Sequence, residues 1–169
     1  MVAVALLVAW GLKRHYAEAT AEDLSWMLTP TTQLVSVATG AAFEWRAGEG
    51  YFSHDRLFLI EKSCAGINFM IAAFGMLAVA LCHRCGDVRS ALRIIGVSLL
   101  ASYVAAIAVN VVRIGIALRL GHHPAWLSSL SASDVHRLEG IAVYFGGLVL
   151  LHELVRQLDR GRFAPGRTS

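Results

Sequence analysis

The chain has 169 residues, 56% of them hydrophobic and 16% charged, with a formal net charge of +3. A typical soluble domain is about 25% charged, so this composition and a mean hydropathy of +0.57 exclude a disordered tail, a nucleic-acid-binding module and an ordinary water-soluble fold. The length suits one integral membrane domain over residues 1–169, and an odd number of cysteines leaves at least one thiol free.

The first apolar run, residues 1–12, covers about 18 Å as a helix, short of the roughly 30 Å of hydrocarbon in a bilayer. No basic residues precede it, so it reads as an abbreviated first span rather than a signal peptide. Residues 13–63 follow as an extracytoplasmic segment. Within it Thr20 to Asp23 has capping-box spacing, and Thr29-Pro30 suits an N-cap and first helical position. Two short amphipathic helices lying on the membrane surface are therefore expected. Phe43 to Ile60 reads as a small β-hairpin, with Trp45, Tyr51, Phe52 and Phe58 flanking the glycine-containing turn at 47–50.

Three further spans are expected over about 65–82, 94–118 and 138–155. Ala65 to Cys82 and Ile94 to Val112 carry no charge, and the last run keeps Glu139 and Glu153 near its ends. The fold class is thus an all-α polytopic membrane protein of about four transmembrane helices, with short extracytoplasmic helices and the hairpin. Arg84, Arg89 and Arg93 between spans, and Arg156, Arg160, Arg162 and Arg167 after the last, mark the cytoplasmic side. Lys13 and Arg14 fall on the opposite side of this scheme.

This topology carries Cys64, Arg113 and His136 to one membrane face. Cys64 opens the second span with Ser63 as its expected N-cap. There a helix dipole and Lys62 favour a thiolate, which makes Cys64 the candidate nucleophile. Arg113 follows Arg93 by twenty residues, about 30 Å of helix, so the two mark opposite surfaces. Its guanidinium suits an oxyanion or a carboxylate, and Asn110, one turn earlier, is expected to orient it. His136 opens the last span behind Ser133 and Asp134 and is the candidate base, its neutral form favoured by the dipole. Singly, the bland readings are packing for the cysteine, snorkelling for the arginine and solvation for the histidine.

Ser63-Cys64-Ala65-Gly66-Ile67-Asn68-Phe69, then Asn110-Val111-Val112-Arg113-Ile114, then His136 before a final span, resemble the ordered Cys, Arg, His signature of the exosortase and archaeosortase family. The short length and the wording around Cys64 are similar to the small exosortase K type, though Ala65 stands where many relatives carry serine. The resemblance implies a multi-pass cysteine transpeptidase of the bacterial cytoplasmic membrane, its site facing outside. It would cleave the C-terminal sorting tail of exported proteins, with Cys64, Arg113 and His136 catalytic and no cofactor. The implied partners are those proteins and membrane lipids, not nucleic acid.

Other polar groups carry less. Cys82 and Cys85 have C-x-x-C spacing, but no second pair completes a zinc site. His122 and His123 suit a solvated turn, His54 lies in the hairpin, and His152 and Glu153 sit at the opposite boundary. Two rival classes follow from the same residues. One is a binding or transport component using Arg113 for an anionic ligand. The other is a thiol oxidoreductase, opposed by the ~27 Å of helix rise from Cys64 to Cys82.

Overall fold

A computed structural model describes residues 1–120 and 132–162, with side chains described for 1–119 and 137–158. The chain is mostly helical. Helix α1 spans Val2–Glu18 and α2 spans Ser25–Thr39. Strands β1 (Glu44–Arg46), β2 (Gly50–Ser53) and β3 (Phe58–Ile60) follow, then α3 (Ile67–Ala80), α4 (Val88–Leu120) and α5 (Ala132–Arg162). Helix α3 packs against α1, α4 and α5, while α2 packs on α4. Its buried residues, including Phe69, Met70, Ala73, Phe74 and Leu77, make it the centre of the core.

Three segments are long and apolar enough to cross a membrane: Lys62–Ala80, Val88–Arg119 and Arg137–Leu158. They match the second, third and fourth expected spans. Residues 1–12 are helical as expected, but α1 is not among the three. It has 17 residues and runs on through Lys13, Arg14 and Glu18. Lys13 Nζ donates to Asn68 Oδ1 at 2.7 Å, and Lys62 Nζ donates to the Ala17 carbonyl at 3.2 Å near the end of α1. These contacts hold the polar end of α1 beside the start of α3.

The capping-box reading is met at Thr20 and Asp23. Asp23 Oδ2 accepts from the Thr20 amide at 2.8 Å and from its hydroxyl at 2.9 Å, and the Asp23 amide donates back to Thr20 Oγ1 at 3.3 Å. The expected break at Thr29-Pro30 is not there. Residues 25–39 form one helix with Pro30 inside it. Proline has no amide hydrogen, so the Trp26 carbonyl four residues earlier loses its helical donor, and the Tyr103 hydroxyl of α4 donates to it instead at 3.0 Å. Thr29 Oγ1 hydrogen-bonds the Tyr51 hydroxyl at 2.8 Å instead of capping. Helix α2 is therefore single and buries Met27, Leu28, Thr31, Thr32 and Val35 along one face.

The expected hairpin is present, and a third strand extends it. β1 pairs antiparallel with β2, Trp45 opposite Tyr51, and β2 with β3, Tyr51 opposite Ile60. Gly48 N donates to Glu22 Oε1 at 3.0 Å, tying the turn to the segment before α2. Gly50 has φ +125°, and a Cβ there would lie 2.3 Å from the Ile60 carbonyl oxygen, so only glycine fits. β3 leads in four residues from Ile60 to Cys64.

Candidate functional site

Glu61 is extended, and residues Lys62–Ala65 then close into a 3-10 turn in which the Cys64 amide donates to the Glu61 carbonyl at 2.8 Å. Gly66 follows with φ +70°, a left-handed conformation that costs glycine nothing, and α3 begins at Ile67. Gly66, not Ser63, is therefore the cap residue. The Ser63 hydroxyl donates to Glu61 Oε1 at 2.8 Å, and its oxygen lies 3.8 Å from Cys64 Sγ. Cys64 stands in the turn before α3 rather than in its first turn, and it is 6% exposed, packed into the core. Lys62 is engaged by the Ala17 carbonyl and lies over the Tyr16 ring at 5.3 Å.

Asn110 on α4 is fully buried, and its amide nitrogen donates to the Cys64 backbone carbonyl. Its side-chain oxygen accepts from the Tyr144 hydroxyl of α5 at 3.2 Å. The Tyr144 oxygen in turn accepts from Arg113 Nη1 at 3.1 Å, and the guanidinium carbon lies 5.3 Å from the Tyr144 ring centroid. Tyr144 is held by Phe69 of α3, ring centroids 5.5 Å apart. Every bond in this series donates in one direction, from the arginine cation toward the cysteine carbonyl. Such a series polarises each member in turn.

Asn110 was expected to orient Arg113 directly. It acts instead at one remove, because Tyr144 occupies the space between them. Gly140 leaves room for the arginine: a Cβ there would lie 3.2 Å from Arg113 Nε. His136 is helical and stands one turn before Gly140, so the two positions share a face of α5. Its side chain lies outside the described residues. The structure thus joins Cys64, Asn110 and Arg113 in one network and carries the backbone of His136 on the helix that packs against it.

Tyr144 was missed in the sequence. It is the only side chain with a polar group between Ile141 and Leu151, which was the available signal. Of the lesser candidates, His54 Nε2 lies 3.6 Å from Glu44 Oε2, both side chains exposed. Glu153 pairs with Arg156 at 3.3 Å. Cys82 and Cys85 are free thiols, as is Cys64, and His122 and His123 lie outside the described residues. Among the described residues, no group of three or more His, Cys, Asp and Glu side chains is arranged to hold a metal ion.

The network offers a thiol whose own peptide is hydrogen-bonded, a half-buried guanidinium and the Tyr144 phenol between them. A thiol and a guanidinium are the group types that nucleophilic attack with charge stabilisation uses, and a guanidinium also suits an anion. Comparison with known proteins returns no match, whether to a family model, a curated protein or a solved structure.

Proposed function

We propose that the chain is a membrane-embedded cysteine peptidase or transpeptidase acting on the C-terminal sorting tails of exported proteins. In this reading the site faces outside a bacterial cytoplasmic membrane, and α1 serves as a fourth, partial span. The observation that carries it is the hydrogen-bonded series from Arg113 through Tyr144 and Asn110 to Cys64, which supports a single site containing both nucleophile and cation.

Cys64 Sγ attacks the carbonyl carbon of the scissile peptide, and its proton passes to His136. The carbonyl π pair moves to oxygen, and Arg113 stabilises that oxyanion. Collapse re-forms the carbonyl and breaks the C–N bond while the imidazolium returns its proton to the leaving amine. The thioester left on Cys64 is released by an amine, giving transpeptidation, or by water, giving hydrolysis. Because the thiol is sheltered, the reading requires the Lys62–Ala65 turn to open as substrate docks. Gly66 is the natural pivot, its left-handed φ separating that turn from the rigid α3.

The test is co-expression of the full chain with an exported protein bearing such a tail, followed by mass spectrometry of the new carboxyl end. Cys64→Ala should abolish processing at an unchanged level in the membrane, and Arg113→Lys should reduce it by about 100-fold through loss of the forked donor. Full processing by Cys64→Ala would overturn the proposal.

A further inference from the structure

Toward the end of the bundle remote from Cys64, α3, α4 and α5 line a partly open cavity of about 580 Å³. This lies within the roughly 300–1,000 Å³ range of small-molecule sites. Most of its wall is hydrocarbon, including Leu77, Val97, Leu151 and Leu154. Its polar lining groups are Arg84, Ser90, Arg93 and Ser98, of which the Ser90 hydroxyl already donates to the Asp87 carbonyl at 2.8 Å. Arg84 and Arg93 stand toward the bundle end, and Ser98 lies five residues along α4 from Arg93, about 7.5 Å of helix rise. Ser98 is fully buried, and its hydroxyl has no hydrogen-bond partner among the described residues. A buried hydroxyl without a partner is costly, so a ligand that supplies an acceptor there gains what the protein alone forgoes.

We infer that this cavity binds one anionic glycerophospholipid from the surrounding leaflet. Along α4 the cation Arg93 is followed by the unpartnered Ser98 hydroxyl, with Ile94 and Val97 between them, and the hydrocarbon wall continues past Ser98 to Ala101 and to Leu154 and Leu151 of the antiparallel α5; phosphodiester, ester carbonyl and acyl chain follow one another in that direction in such a lipid. Arg93 takes the phosphate, Ser98 donates to the ester carbonyl, and an acyl chain fills the space bounded by Ala101, Leu151 and Leu154. The charge of Arg93 at the mouth selects a net negative headgroup over a zwitterionic one. The site is separate from the Cys64 network and does not depend on the peptidase reading.

Native mass spectrometry of the full chain, purified in mild detergent and offered phosphatidylglycerol or phosphatidylcholine with identical acyl chains, tests this directly. One phosphatidylglycerol per chain should persist while phosphatidylcholine is lost. Arg93→Gln should lower the bound fraction by about tenfold, the scale of one charge-assisted hydrogen bond. Arg89→Gln removes the same charge from an exposed position off the cavity wall and should change nothing. Ser98→Leu should fill the cavity and displace the lipid, and the gentler Ser98→Ala should weaken binding with the fold intact. Equal retention of both lipids, or equal loss in the Arg89 and Arg93 variants, overturns the inference. So does a lipid-free dimer, or displacement of the lipid by inorganic phosphate alone.

Discussion

The Tyr103 hydroxyl donates at 3.0 Å to the Trp26 carbonyl, the group that Pro30 leaves without its helical partner. The two rings also stack, centroids 5.7 Å apart. Tyr103→Phe keeps the stacking and removes only the donor, so it should cost about 1 kcal/mol of stability. In a Pro30→Ala background the helix supplies its own amide to Trp26, and the same change should cost much less. Thermal unfolding of the four proteins in one detergent gives the coupling, and a coupling of zero would refute the role given to Tyr103.

Asn110 serves two acceptor-donor partners at once. Asn110→Leu leaves the Cys64 carbonyl and the Tyr144 hydroxyl without their bonds and should destabilise the protein by about 1–2 kcal/mol. Tyr144→Phe removes two links, those to Arg113 and Asn110, but preserves contact with Phe69 and leaves the Cys64 carbonyl paired, so its effect on unfolding should be smaller than that of Asn110→Leu. Both should slow processing by the proposed peptidase.

Gly147 is where α5 approaches α4 most closely among the described glycines. A Cβ there would meet Val109 Cγ2 at 2.7 Å and Phe69 Cε2 at 3.2 Å. Valine is stiff about χ1 and cannot easily yield, so Gly147→Ala should destabilise by about 1–3 kcal/mol through overpacking. Gly146→Ala, which meets nothing within 4 Å, should be neutral or slightly stabilising.

Asp23 and Asp87 have pKa values below the ordinary carboxylate value because they accept hydrogen bonds, from Thr20 and Ser90 respectively. A carboxylate whose pKa falls on folding contributes stability above its unfolded pKa, about 3.9, and loses it as pH drops through the lower folded value. The stability advantage of the wild type over Asp23→Asn and Asp87→Asn should therefore be level near neutrality and shrink on acidification below about pH 4. An advantage that grows with acidification would contradict the sign.

The three thiols should separate by reactivity. Cys82 is exposed and Cys85 half-buried, whereas Cys64 is packed into the core. A maleimide should label Cys82 first and Cys64 last. Addition of a sorting-tail peptide should change the Cys64 rate alone, read by peptide mapping.

The long apolar segments were legible because absence of charge over a bilayer's width is a coarse signal that packing cannot rewrite. The Thr20–Asp23 box was legible for the opposite reason, being wholly local. What failed depended on distant partners. Pro30 breaks a helix in isolation, and only Tyr103, far along the chain, makes its position tolerable. Ser63 looked like a cap because nothing local foretold that Gly66 would adopt φ +70° and take the cap position. The third strand was hidden by the turn before it, where Leu57 holds φ +49° in a run without glycine. Cys64, Asn110 and Arg113 were singled out by their chemistry, while Tyr144 was passed over as one more ring in an apolar run.

The one-way donation from Arg113 to the Cys64 carbonyl has a mechanical corollary. Arg113 and Asn110 stand on α4, Tyr144 on α5 and Cys64 in the turn ahead of α3, so the series fastens that turn to both neighbouring helices. Asn110 is the shared rivet: loss of its side chain parts the turn from α4 and α5 together.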